Sequence, residues 1–261
     1  MFQYAFGRAL SLKNKTELAL DITHYRTKGL RTFALDEFCL APHRTIRGRL
    51  KLLAAHTLCR YRTLDQTFFF EEKFADAKGN LYAKGYWESP RYFDGFSKEI
   101  RADFTLRQPS DEFHKYTVCI KPGSVALHVR RGDFLSDIGR TVLGRDYYER
   151  AISKLIKMTG NPSPDITIFS DDIEWCRAEL GLIAGIKTNV FDVHGISDAE
   201  ELVIMSHHAH FIIANSTFSW WAAYLNDKPG KIVIAPDSWF VDPEINQRYV
   251  KDILPNDWVV A

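Results

Sequence analysis

Val125-Ala126-Leu127-His128-Val129-Arg130-Arg131-Gly132-Asp133 is an apolar run that stops abruptly in charge. Its first six residues, 125–130, read as a strand. The pattern then alternates: helix 146–158, strand 166–170, helix from about 173 to 180, strand 189–193, helix 199–206, strand 210–214, helix 218–225 and strand 231–235. Apolar strands of about five residues between helices predict a parallel sheet covered on both faces. Ligands bind such sheets beyond the carboxyl ends of the strands, so the residues just after each strand carry the functional reading.

Upstream of that run, a helix extends from the first residues to about 12, and 16–22 reads as a short strand. The stretch 43–62 holds Arg44, Arg47, Arg49, Lys51, Arg60 and Arg62 with no acid among them. Ile46, Leu50, Leu53 and Ala54 recur there at helical spacing. The expectation is a basic amphipathic helix, either a solvated surface or a contact for anionic lipid heads or a charged carrier. Residues 85–93 are dense in aromatics, and 107–123, with Pro109, Ser110, Pro122 and Gly123, reads as an interdomain link. Two α/β domains are therefore expected, 1–110 and 111–261.

The chain has 261 residues, enough for such a pair of cores. Its net charge of +1 gives no global field that would favour nucleic acid. Cys39, Cys59, Cys119 and Cys176 stand far apart, form no C-x-x-C pair and are read as reduced. No apolar run approaches the ~20 residues of a membrane span, and no signal-peptide pattern opens the sequence. The expected location is cytoplasmic, peripheral on the inner membrane face if the basic helix makes contact. The first residues already read as helix without a capping side chain, so the expectation is that the chain begins inside an element.

At the first strand end, an arginine fork can clamp a diphosphate, and Gly132 lets the backbone come close to a ligand. Alternation puts His128 and Arg130 on one face and Arg131 with Asp133 on the other; an Arg131–Asp133 pair bracing the turn is the plainer alternative. At the second end, Asp171 and Asp172 offer one helix cap and one acceptor for a nucleoside. No third ligand follows at metal spacing, so no metal is expected. At the fourth, Asn215-Ser216-Thr217-Phe218 opens a helix, where free amides and the helix dipole favour phosphate. Trp220 and Trp221 read as core, and His207 and His208 as helix-end or core residues.

Taken in order, Met1-Phe2-Gln3-Tyr4-Ala5-Phe6-Gly7, Gly85-Tyr86-Trp87, His128-Val129-Arg130-Arg131-Gly132-Asp133-Phe134, Phe169-Ser170-Asp171-Asp172 and Asn215-Ser216-Thr217-Phe218-Ser219-Trp220-Trp221-Ala222 resemble bacterial α-1,2-fucosyltransferases, glycosyltransferase family 11. The resemblance implies a GT-B-like architecture: two Rossmann-like parallel-sheet domains with an interdomain cleft, 1–110 on the acceptor side and 111–261 binding GDP-fucose. It implies inverting transfer from GDP-β-L-fucose to the 2-hydroxyl of a terminal galactose, on a glycan or a lipid-linked oligosaccharide, with no metal and no cofactor beyond the donor. It further implies that His128 and Arg130 hold the nucleotide and its β-phosphate, that Asp171 touches the nucleoside, and that Ser216, Thr217 and Phe218 meet the phosphates. Family members carry Gly-x-Gly-Asn-Gln just before the Met-Phe-Gln-Tyr-Ala segment. The expectation is thus an N-terminally truncated chain lacking its first strand.

Inverting transfer needs charge on the departing phosphate stabilised, for which Arg130, with Arg131 beside it, and the helix after Asn215 are suited. It also needs a group to take the acceptor's proton; Asp133 and His128 are the candidates. Tyr86 and Trp87 are the aromatic signal for sugar stacking. The alternatives are another GDP-sugar transferase, such as a protein O-fucosyltransferase, and a non-catalytic nucleotide-sugar-binding module.

Overall fold

Phe2, Tyr4, Ala5, Phe6, Ala9 and Leu10 are buried along Phe2–Asn14, the first helix (α1), which Lys15 ends in the left-handed conformation. The computed structural model describes residues 1–26, 33–48, 60–66 and 68–261. They form two compact units, Met1–Arg107 and Gln108–Ala261.

In the first unit, Leu18–Asp21 (β1) pairs in parallel with His43–Ile46 (β2), and Arg62–Asp65 (β3) pairs in parallel with Leu81–Lys84 (β4). These are two separate two-stranded sheets. A cavity of about 1120 Å³ is lined by consecutive residues of β1 and β4 and by Gln3, Gly7, Leu10 and Asn14 of α1. Short helices at Glu72–Ala75 (α2) and Ser97–Asp103 (α3) complete the unit. Tyr4 Oη donates to Asp103 Oδ2 at 2.8 Å and Arg8 Nε pairs with the same oxygen at 2.9 Å, fixing α1 to α3.

The helix expected over 43–62 is not what forms at its ends. Residues 43–46 are β2 and 62–65 are β3, because β1 and β4 need strand partners and backbone pairing overrides a helical spacing of apolar residues. The middle of that stretch, 49–59, with Cys59, lies outside the described residues. Among the described residues, no helix is long and apolar enough to cross a membrane.

The second unit opens with Asp111–Val118 (α4) inside the stretch read as a link. Ser110, within that stretch, is its N-cap: the hydroxyl accepts from the Phe113 amide at 3.1 Å. There follow Val125–Val129 (β5), Arg145–Thr159 (α5), Ile166–Ser170 (β6) and Ile173–Trp175 (α6), which continues as a π-turn to Leu180. A small hairpin, Leu182–Ile183 (β7) with Ile186–Lys187 (β8), precedes Asn189–Val190 (β9). Then come Asp198–Ser206 (α7), His210–Ile212 (β10), Thr217–Leu225 (α8), Val233–Ala235 (β11), Pro243–Ile253 (α9) and Val259–Val260 (β12).

Six of these strands make one sheet in the order β12-β11-β10-β5-β6-β9, parallel at every pairing. Val125, Leu127 and Val129 of β5 face a core built with Tyr147, Tyr148, Ile152 and Leu155 of α5 and Ile166 and Ile168 of β6. Burying each such aliphatic side chain contributes roughly 1.5–3 kcal/mol. Trp220 and Trp221 of α8 are buried, as read from the sequence. Cys39, Cys119 and Cys176 are free thiols; burial pushes Cys176 up to about 11, which keeps it protonated.

Candidate active site

The carboxyl ends of β5, β6 and β10 lie side by side in the sheet, since β5 is flanked by the other two. Arg130 and Arg131 follow β5, Asp171 and Asp172 follow β6. The Arg130 guanidinium spans two carboxylates, Nη1 to Asp171 Oδ2 at 2.9 Å and Nη2 to Asp133 Oδ1 at 2.7 Å. The Arg131 amide donates to Asp171 Oδ1 at 2.9 Å, and its Nε pairs with Asp172 Oδ2 at 3.0 Å. The Arg131 guanidinium also lies 4.2 Å from the Trp175 ring centroid. Asp172 meanwhile caps α6, accepting from the Trp175 amide at 3.1 Å. The turn-bracing partner of Asp133 is thus Arg130, not Arg131, and both arginines are tied across to the neighbouring strand end.

Gly132 sits at the centre of this cluster. A β-carbon there would stand 2.7 Å from Asp171 Oδ2. The close approach that requires glycine is therefore to a carboxylate of the protein itself.

His128 points to the opposite face from the Val125–Val129 aliphatics and is 5% exposed. Its ring lies 5.6 Å from that of Phe218, in the first turn of α8. Nδ1 is buried and has no hydrogen-bond partner within the chain. Burial first, and then the Arg130 charge, push its pKa down to about 3. The imidazole is neutral at physiological pH, which gives His128 the ability to donate or accept one hydrogen bond and removes most of its strength as a base.

That depression is also a stability statement. The unfolded imidazole, near 6.5, binds a proton that the folded one refuses until about 3, so its contribution is full above 6.5 and is lost as pH falls through that window. His208, pushed by burial to about 4, acts in the same direction. Glu201, pushed up by burial and then by Asp198 to about 7, opposes them between 4.5 and 7. These groups should therefore make the unit lose stability from about pH 6.5 downwards, by one net proton while Glu201 opposes the two histidines and by two just below pH 4.5, where it no longer does, at about 1.4 kcal/mol per proton per pH unit. An ¹⁵N NMR titration should find the His128 ring neutral down to pH 4.5; a midpoint near 6.5 would refute the assignment.

At β10, Asn215 is wholly buried. Its Nδ2 donates to the carbonyls of Thr141 at 2.7 Å and Trp239 at 3.2 Å, joining the loops after β5 and β11, and its Oδ1 is buried without a partner. This role of Asn215 has no signal in the sequence, because a buried amide leaves no periodic pattern. Ser216 caps α8, accepting from the Phe218 amide at 3.3 Å, so Ser216, Thr217 and Phe218 form that helix N-terminus. Together these strand ends combine a carboxylate-braced arginine fork, a neutral imidazole and a helix N-terminus, hydrogen-bond donors suited to a diphosphate.

Tyr86 and Trp87 lie in the first unit, just after β4. Tyr86 is 61% exposed. Trp87 is buried, its ring stacked on Phe6 with centroids 3.9 Å apart. Among the described residues, no group of three or more His, Cys, Asp or Glu could hold a metal ion.

The chain is similar to an α-1,2-colitosyltransferase of Escherichia coli, with 30% identity over 99% of this chain and 93% of that protein. It is similar to galactoside α-(1,2)-fucosyltransferase 1 of Ateles belzebuth, with 27% identity over 76% of this chain, and spans 58% of that protein's length. Among solved structures, it is similar to NodZ α-1,6-fucosyltransferase soaked with GDP-fucose, with 14% identity, a TM-score of 0.45, and coverage of 86% of this chain and 87% of that one. The sequence profile described as "Glycosyl transferase family 11" matches residues 13–261, the whole six-stranded unit and its strand-end cluster included. With that match and the colitosyltransferase identity, the chain belongs to glycosyl transferase family 11.

Proposed function

We propose that this glycosyltransferase moves L-fucose from GDP-β-L-fucose to the 2-hydroxyl of a terminal galactose, with inversion at the sugar's anomeric carbon. The observation that carries the reading is the Arg130 fork, fixed between Asp133 and Asp171 beside the neutral His128 and the α8 N-terminus. In the reaction, the bond from the anomeric carbon to the β-phosphate oxygen breaks, and GDP leaves with the electron pair. The galactose oxygen bonds to that carbon from the opposite face and gives up its proton. Arg130 and the α8 amides stabilise the departing phosphate. Asp133 is the candidate an acceptor can reach: its side chain is 56% exposed, whereas His128 is buried and held neutral with little basicity. His128 then serves as a hydrogen-bond partner of the donor.

A second reading of the donor is favoured by the similarity to the colitosyltransferase. Colitose is fucose without its 3-hydroxyl, so both GDP-sugars present the same diphosphate. The test is a parallel measurement of GDP release and of product linkage by NMR, with GDP-fucose and GDP-colitose against β-galactosides. An α-1,2-linked fucosyl galactoside is expected; turnover confined to GDP-colitose would replace the donor, and no transfer from either would sink the reading.

Activity is also expected to persist in excess chelator, since the phosphate charge is met by arginine and helix amides. Complete loss on chelation, restored by manganese or magnesium, would overturn that expectation.

A further inference from the structure

The turn after β4 is held at every point except one. The Gly85 carbonyl accepts from Gln3 Nε2 at 2.8 Å. The Trp87 amide donates to Gln66 Oε1 at 2.6 Å, and the Trp87 carbonyl accepts from the Ser89 amide at 2.8 Å. The Trp87 ring is stacked on Phe6 and met edgewise by Phe74 and Tyr92, each at 5.5 Å. Gln66 is itself 4% exposed and fixed, its amide donating to the Lys84 carbonyl at 2.9 Å and its Nε2 to the Phe69 carbonyl at 3.1 Å.

Both neighbours of Tyr86 have positive φ: 150° at Gly85 and 61° at Trp87. Glycine accepts that region; a bulky tryptophan adopts it only where the surroundings over-determine it, and such strain marks functional segments. A side chain at position 85 would also collide with Gln66, whose Cβ stands 2.8 Å from the site of a new β-carbon. The result is a rigid frame that leaves one large aromatic, Tyr86, standing in solvent at the carboxyl end of a parallel strand.

We propose that Gln66 and Trp87 are positioning residues that hold Tyr86 outward as a stacking platform for the acceptor's terminal galactose. The inference rests on the galactoside reading above. A galactose ring, with its axial 4-hydroxyl, has one face of C–H groups that an aromatic ring covers well, while its 2-hydroxyl stays free at the rim. A rigid tyrosine offers that contact with little loss of side-chain freedom.

The test is steady-state kinetics with GDP-fucose and a β-galactoside. Tyr86→Ala should raise the acceptor KM about tenfold or more while leaving the donor KM within about twofold, and Tyr86→Trp should recover most of the loss. Gln66→Met, which removes the acceptor for the Trp87 amide, should raise the acceptor KM in the same selective way. Gln66→Glu keeps the oxygen for the Trp87 amide but loses the donor to the Phe69 carbonyl, so it should recover only part of the loss. Saturation-transfer NMR on the native chain without donor should show the galactose C–H protons nearest the protein. Native transfer to galactosides with an unchanged acceptor KM in Tyr86→Ala overturns this inference alone. No native transfer to any galactoside overturns the function it rests on, and this inference with it.

Discussion

Arg130→Lys is expected to lower turnover by about 100-fold or more, the scale for losing one positioned donor to a transition-state charge. The charge survives that substitution; the fork does not. Arg130 reaches Asp171 with one terminal nitrogen and Asp133 with the other, at 2.9 and 2.7 Å. A lysine ammonium is a single point on a flexible stem and cannot span both carboxylates while presenting a planar edge to a phosphate. The measurement is single-turnover transfer from GDP-fucose, with GDP affinity determined separately. A rate within a fewfold of native would remove Arg130 from the assigned role.

Gly132→Ala should cost about 10- to 100-fold in GDP affinity. The added β-carbon would lie 2.7 Å from Asp171 Oδ2, so Asp171 must move. Its movement breaks the Arg130 pair and the bond from the Arg131 amide together. Losing a charge-assisted bond costs roughly 1.5–3 kcal/mol. Gly95→Ala is the control: no atom lies within 4 Å of a β-carbon at that position. Calorimetric titration with GDP should separate the two variants, and equal affinity in both would show that the cluster is not the nucleotide site.

The parts of the fold that the sequence displayed are the ones that bury whole strands. β5, β6 and β10 are apolar runs between helices, and no other element fits them. β9 keeps only Asn189–Val190 of the strand read over 189–193, and β12, two residues long, is defined by pairing and carries no period of its own. The α9 helix had its signal in Asp242-Pro243, and Asp242 does cap it, accepting from the amides of Glu244 and Ile245 at 2.9 Å. The basic stretch around Arg44 misled because its helical spacing competed with the demand of β1 for a partner. At the site, each residue type was visible, but its partner was not. Arg130 and Asp171 are distant in sequence and meet only because β5 and β6 are neighbours. The neutrality of His128 depends on burial, which one residue between Leu127 and Val129 does not reveal.

The order of the six-stranded sheet also sets a timetable. β5 can zip to β6 once residue 170 has been made, but its other neighbour, β10, arrives some forty residues later, and β11 and β12 later still. Strand pairs separated by long loops form slowly, and an apolar strand waiting for its neighbour is exposed to the wrong one. During synthesis the arginine cluster can therefore assemble before the α8 terminus exists to face it. The half of the site that holds charge is built first, and the helix terminus that faces it is built last.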